Sequence, residues 1–237
     1  GVSGVNWNVK IMVIVGGGGQ ASAVASYRYA LEQRRLYNRT NGREGAYVVA
    51  TNSSWGIDFG DPASAPLWCA MYDSLGTEGV TSAGATINDD QNVDVVGDLP
   101  TGCTSDHLIS VTNVGRNDVK IGFAGYGEQS VDIGSFGQDA YTLETVSNGS
   151  YGGFGGTSGA TPHVAGGLAL LYSVDCPWFT CYDRVLPDSA SLLAIDMTLN
   201  GADANATLDG ITVTGGRQNL FNSLSMLRDS CPTCCPV

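Results

Sequence analysis

Hydrophobic and polar positions alternate between two textures along the first hundred residues. Val9-Lys-Ile-Met-Val-Ile-Val15 is a β-branched run that ends in four glycines, which predicts a buried strand followed by a loop. Over residues 21–37 the apolar positions recur at helical spacing: Val24, Tyr27 and Leu31 share a face with Ala30 at its margin, and Arg28, Glu32 and Arg35 lie off it. Ala46–Ala50 predicts a second buried strand that runs out into the polar, glycine-ended Thr51-Asn-Ser-Ser-Trp-Gly56. Polar groups at the C-terminal end of a strand are where parallel-sheet proteins place their sites. A helix over Pro66–Leu75, stopped at Gly76, and a strand of small residues over Val80–Ala85 follow. This alternation predicts an α/β fold, a mostly parallel sheet with helices on its faces.

From Asn88 to Gly137 the pattern changes to short β segments at 108–111, 119–123 and 130–133, separated by turn residues. Two helices, over 189–199 and 218–227, close the chain. With no internal repeat or low-complexity linker, residues 1–228 are expected to form part of one domain, and 229–237 a tail rich in Cys and Pro.

Charge narrows the partners. The 237 residues carry 11 Lys and Arg against 23 Asp and Glu, a net charge of −12, and the basic residues cluster only in the short Arg34, Arg35, Arg39, Arg43 series. Nucleic acid is therefore not an expected partner. No stretch approaches the ~20 apolar residues that cross a bilayer, so no membrane partner is expected, and the N-terminus lacks the basic-then-apolar pattern of a signal peptide. Seven cysteines point to an oxidising, secreted or cell-surface setting. Cys176-Pro-Trp-Phe-Thr-Cys181 can close a small loop, and Cys231, Cys234 and Cys235 crowd the tail. Zinc is disfavoured by a single C-x-x-C and only two histidines. Asn38, Asn148 and Asn205 begin N-x-[ST] sequons, a weak signal.

The chemistry concentrates in Gly155-Gly-Thr-Ser-Gly-Ala-Thr-Pro-His-Val-Ala-Gly-Gly167. Small residues on both sides of Ser158 let the backbone turn and a substrate approach. Pro162 is expected in a first helical turn, and Val164–Leu171 to continue as a buried helix. Ser158 then stands at a helix N-terminus, where free N–H groups stabilise an oxyanion. Capping of a buried helix is the competing reading of such a serine.

Gly156–Gly166 resembles the serine motif of the subtilisin-like serine proteases, G-T-S-x-A-x-P-H-V-A-G, with every specified position filled. Other segments match that family in order. Gly4–Met12 resembles the strand entry after the family's histidine helix, Ser54-Trp-Gly56 its substrate-binding S-x-G strand, Ser82-Ala-Gly84 its A-A-G pocket wall, and Gly215-Gly-Arg-Gln-Asn219 its G-R-x-N before a late helix. The resemblance implies a three-layer subtilisin-like fold and a serine endopeptidase acting on polypeptides with Ser158 as nucleophile. It also implies that Ser54, Trp55, Gly56 and Ser82, Ala83, Gly84 hold the peptide through backbone hydrogen bonds, and that His163, within the serine motif, is structural.

The match breaks in two places. The family's aspartate motif D-[ST]-G and histidine motif H-G-T are absent, and His107, in what resembles a surface segment, is not read as the base. The resemblance therefore implies a sheet lacking its N-terminal strands, including a central one, and an N-terminal portion of the same peptidase domain as partner and source of the triad's Asp and His. The second break is Ala85, where the family has an oxyanion-binding asparagine; Asn88, three residues on, is the candidate replacement. A non-catalytic descendant that keeps the peptide groove as a binding or assembly module is the alternative. Calcium, as a structural ion, is common in the resembled family, and Asp89, Asp90, Asp94 and Asp98 are candidate ligands; a solvated acidic loop is the competing reading.

Overall fold

A computed structural model describes residues 2–16, 19–144 and 151–232. The elements run α1 (Gln20–Arg39), β1 (Ala50–Ser53), β2 (Ile57–Asp58), a 3-10 turn (Pro62–Ser64), α2 (Pro66–Gly76), β3 (Thr81–Ala85), α3 (Val93–Val96), β4 (Asp98–Leu99) and β5 (Leu108–Val114). They continue with β6 (Ile133–Phe136), β7 (Ala140–Leu143), β8 (Tyr151–Phe154), α4 (Thr157–Leu171), α5 (Pro177–Val185), α6 (Pro187–Asn200), β9 (Asp203–Ala204), β10 (Gly216–Arg217) and α7 (Leu220–Asp229).

Six strands form the main sheet in the order β1-β3-β5-β6-β10-β9, parallel except for the last pair. β2 pairs with β4 and β7 with β8 in two small antiparallel ribbons. Strand alternation divides the core in two. On β5, Leu108 faces a cluster built from Tyr27 and Leu31 of α1 and Trp68, Tyr72 and Leu75 of α2. Ile109 and Val111 face the other, built from Val164 and Leu168 of α4, Ala190 and Ala194 of α6 and Leu227 of α7. The sheet is the middle of three layers, as the resemblance implies.

Four predicted strands come out differently. The segment predicted over 130–133 shares only Ile133 with β6, which pairs over Ile133–Phe136. Val9–Val15 joins no ladder, and Ile11, Val13 and Val15 are 83%, 79% and 93% exposed. A strand is completed by its neighbour, and among the described residues none lies beside this one; β1 likewise pairs only with β3. The second strand starts four residues late, at Ala50, where pairing with Thr81 begins. Residues 119–123 contribute one isolated bridge, Val114 to Lys120, and otherwise turn.

The cysteines also depart from expectation. Cys69 bonds Cys103 and Cys176 bonds Cys231, while Cys181 is free. The predicted small loop is the helix α5 instead, and residues five apart on a helix point about 140° away from each other. Cys234, Cys235 and the Asn148 sequon lie outside the described residues. Asn205 is 5% exposed, its amide donating to the Asp118 carbonyl, which argues against a glycan there.

One charged group of α1 is buried with its apolar face. Arg34 is fully enclosed and donates to both oxygens of Asp183 on α5 at 2.8 Å, to the Val48 carbonyl at 2.8 Å and to Asn38 at 3.0 Å. Tyr47 donates to the same carboxylate at 2.7 Å and lies against the guanidinium. The network ties α1 and α5 to the chain just before β1.

Candidate active site

The C-terminal ends of β1 and β3 meet the N-terminus of α4. Gly156, the N-cap, has φ 74°, and a Cβ there would stand 2.6 Å from Asn88 Oδ1, so conformation and space both require glycine. Thr157 follows, fully buried. Its hydroxyl donates to the Thr86 carbonyl at 2.6 Å, and its backbone N–H donates to Asn88 Oδ1 at 2.9 Å. Asn88 thus caps α4 from a different segment, in place of the side chain that the N-cap glycine lacks.

Ser158 is the second residue of the helix, half-buried, and among the described residues its backbone N–H has no acceptor. Its hydroxyl donates to the Ser54 carbonyl at 3.2 Å, while the Ser54 hydroxyl donates to the Ser158 carbonyl at 3.0 Å. That second bond has a cause in the sequence. Pro162 sits at the sixth helical position, beyond the first turn where it was expected, and has no N–H for the carbonyl four residues back. The freed carbonyl is that of Ser158, and Ser54 satisfies it.

Asn88 is the residue that sequence reasoning proposed as a replacement donor. The structure places it in the loop after β3, exposed, with its oxygen committed to Thr157 and its Nδ2 without a partner among the described residues. Asp98 holds this loop in place. Its buried carboxylate accepts from the Ile87 N–H at 3.0 Å, the Thr101 hydroxyl at 2.7 Å and the Thr86 hydroxyl at 3.3 Å. Burial pushes its pKa up to about 6, and these hydrogen bonds restrain the rise.

The proposed peptide contacts divide. Ser54, Trp55 and Gly56 lie between β1 and β2, outside any ladder, so apart from the Ser54 carbonyl, which accepts from Ser158, their backbone is not committed to a neighbouring strand. Trp55 is 45% exposed and packs against Tyr27 and Trp68 at centroid distances of 6.2 and 5.3 Å. A Cβ on Gly56 would come within van der Waals overlap of the Leu99 carbonyl, so no other residue fits there without moving β4. Ser82, Ala83 and Gly84 are in β3, paired with β1 on one side and β5 on the other. With both ladders filled they have no backbone groups left for a peptide, which corrects that expectation; Gly84, 2.7 Å from the Pro100 ring at its would-be Cβ, can serve only as a wall.

Neither histidine bonds to Ser158. His163 Nδ1 lies 2.8 Å from the Gly159 carbonyl, within its own helix. His107 is buried, not superficial: its ring lies 2.9 Å from the Ser191 hydroxyl and 3.2 Å from Asp188. It precedes β5, at the end of the sheet opposite Ser158. The four candidate calcium ligands do not form a cage. Asp94 accepts from the Gln129 and Ser130 N–H groups, Asp90 pairs with Lys120, Asp89 accepts from Asp90 and Gln91, and Asp98 is enclosed by its own donors. Among the described residues no group of three His, Cys, Asp or Glu is placed to hold a metal.

Comparison with known proteins fits this geometry. The sequence profile of the Subtilase family matches residues 1–207. Subtilisin-like protease 2 of Plasmodium falciparum is 33% identical over 145 residues, which make up 61% of this chain and 10% of the relative, so the match spans about a tenth of the relative's length. Among solved structures, a protease from Pseudoalteromonas arctica superimposes with a TM-score of 0.68 at 20% identity, over 94% of this chain and 64% of that one. A subtilase cytotoxin assembly gives 0.67 at 21% identity, over 91% and 67%. The prenylagaramide maturation protease gives 0.64 at 20% identity, over 89% and 69%. These structural likenesses establish the fold.

Proposed function

Because this chain belongs to the subtilase family, we propose that it is the serine-bearing portion of a secreted serine endopeptidase that cleaves polypeptides through an acyl-enzyme on Ser158. In this reading Ser158 Oγ attacks the scissile carbonyl carbon as a histidine base takes its proton. The oxyanion is received by the unpaired N–H of Ser158 and by Nδ2 of Asn88, at the positive end of α4. The protonated histidine then releases the amine, and water repeats the sequence to free the acid. The peptide lies along residues 54–56 as an added strand.

The observation that carries this reading is a helix-terminal N–H on Ser158 with no acceptor among the described residues, beside the Asn88 amide that is bonded to the adjacent Thr157. The histidine and its aspartate come from a segment N-terminal to this chain. Two features support that: among the described residues β1 has no partner opposite β3, and the Val9–Val15 run is exposed, a place where one more strand would pair. Two disulfides support an oxidising compartment.

A fluorophosphonate probe tests the proposal. With a segment carrying D-[ST]-G and H-G-T present, Ser158 is labelled and the Ser158→Ala variant is not; the chain without it stays unlabelled. No labelling with the segment present would overturn the proposal in favour of the non-catalytic peptide-binding or assembly module. Ala85 and the tether of the Ser158 hydroxyl to Ser54 speak for that second reading.

A further inference from the structure

Beneath the end of β1, four buried side chains join in a line of polar groups inside an otherwise apolar cluster. Trp68 Nε1–H donates to the Tyr72 hydroxyl at 3.0 Å, the Tyr72 and Tyr27 hydroxyls lie 2.8 Å apart, and the Tyr27 and Ser53 hydroxyls 2.5 Å apart. Burial raises the pKa of both phenols, so each keeps its proton and can donate. Among the described residues the Ser53 hydroxyl has no partner but Tyr27.

The last link matters because of where Ser53 stands. It ends β1, opposite Gly84, and the chain then leaves the ladder. Ser54 follows, its carbonyl accepting the Ser158 hydroxyl. Trp55 comes next and stacks on the Tyr27 ring with 24° between the planes, its other neighbour being Trp68. Tyr27 therefore grips the residues on both sides of Ser54, one by its hydroxyl and the other by its ring. Packing alone does not call for that hydroxyl: a phenylalanine at position 27 fills the same space and brings no polar group to satisfy in the interior.

We propose that Tyr27 is a positioning residue, fixing Ser53 and Trp55 so that the Ser54 backbone between them is held ready for an incoming peptide. This role rests on residues 54–56 being the peptide strand of the proposed function. A segment without ladder partners loses conformational freedom when it pairs with a peptide, and a contact that fixes it beforehand lowers that cost. Tyr27 acts through Ser53 and Trp55, away from the reacting atoms. Its loss weakens ground-state and transition-state binding alike, which raises Kd and KM and leaves kcat nearly unchanged.

Binding of fluorescein-labelled casein, an unfolded polypeptide, to the protein with its completing segment tests this, in a Ser158→Ala background so that no cleavage intervenes. Tyr27→Phe keeps the ring and removes the hydroxyl, and Ser53→Ala removes its partner. Each is expected to raise Kd about fivefold, the effect of one net hydrogen bond, and the two together no more than either alone. Tyr72→Phe, which breaks the line one link further from Ser53, should lower Tm and move Kd less than about twofold. Thermal unfolding checks that each variant is folded at the assay temperature, and the Ser53→Ala arm stands if Tyr27→Phe is not. No saturable binding by the parent, an unchanged Kd in Ser53→Ala, equal weakening by Tyr72→Phe, or effects that multiply in the double variant would overturn the proposal. Fluorophosphonate labelling of the protein with Ser158 intact is read separately. Labelling with Kd unmoved removes the role of Tyr27 alone, and a shifted Kd without labelling removes the peptidase reading alone.

Discussion

Replacing Asn88 separates its capping of α4 from the oxyanion role proposed for it. Its oxygen accepts the Thr157 N–H at 2.9 Å, and its nitrogen is free to donate. Asn88→Ala removes both: loss of a cap costs about 1 kcal/mol of stability, which in a chain of this size lowers Tm by roughly 2–4 °C. Asn88→Asp keeps the accepting oxygen and adds a negative charge at the helix N-terminus, worth about 0.3–1 kcal/mol, but has no amide to donate. Loss of such a side-chain donor costs about 10²–10³-fold in turnover in subtilisin itself, or about 2.7–4 kcal/mol of transition-state stabilisation. The expected pattern is a cooler melt and slow turnover for Ala, against a wild-type melt and equally slow turnover for Asp. The assay is kcat on a fluorogenic peptide, run beside thermal unfolding on the protein with its completing segment. An Asn88→Asp enzyme within about threefold of wild-type kcat would refute the oxyanion role and leave Asn88 a helix cap.

Two further outcomes follow from the packing. Ser54→Ala should cost about 1 kcal/mol in urea unfolding by leaving the Ser158 carbonyl without its donor, and adding Pro162→Ala, which restores an N–H to the helix ladder, should recover most of it; no recovery in the double variant would contradict the geometry. Arg34→Met should cost about 3–5 kcal/mol by stranding Asp183 in the interior, and Arg34→Met with Asp183→Leu should cost less than the single change; a loss under about 1 kcal/mol for the single variant would show that water reaches the carboxylate.

What could be read from the sequence was what local pattern determines. α1, α2, β3, α6 and α7 lie within about three residues of their predicted limits because each has a periodic apolar face or a run bounded by proline and glycine. The serine motif was legible because its glycines, proline and small residues each answer a constraint within a few positions of Ser158. What escaped depends on partners distant in sequence. Val9–Val15 has the composition of a buried strand, but composition cannot supply the neighbour that makes one. Arg34 was legible only as one of a short basic series, because its counter-ion lies 149 positions away. The disulfide of Cys176 passes over the nearest thiol for one 55 residues on, since α5 turns Cys181 aside. Asn88 was found only through the altered position 85, and its capping bond to Thr157 had no signal in the chain.

The Ser54 carbonyl stands in two relationships at once. It receives the Ser158 hydroxyl, and it belongs to the stretch on which a peptide strand would be laid. A peptide N–H arriving there competes for the same oxygen, and the competition runs both ways: whatever tightens the hydroxyl's hold weakens the peptide's, and by the same factor. On the proposed function, groove occupancy and the freedom of the Ser158 hydroxyl are thus linked through a single acceptor, so a bound peptide would release the serine that Ser54 otherwise engages.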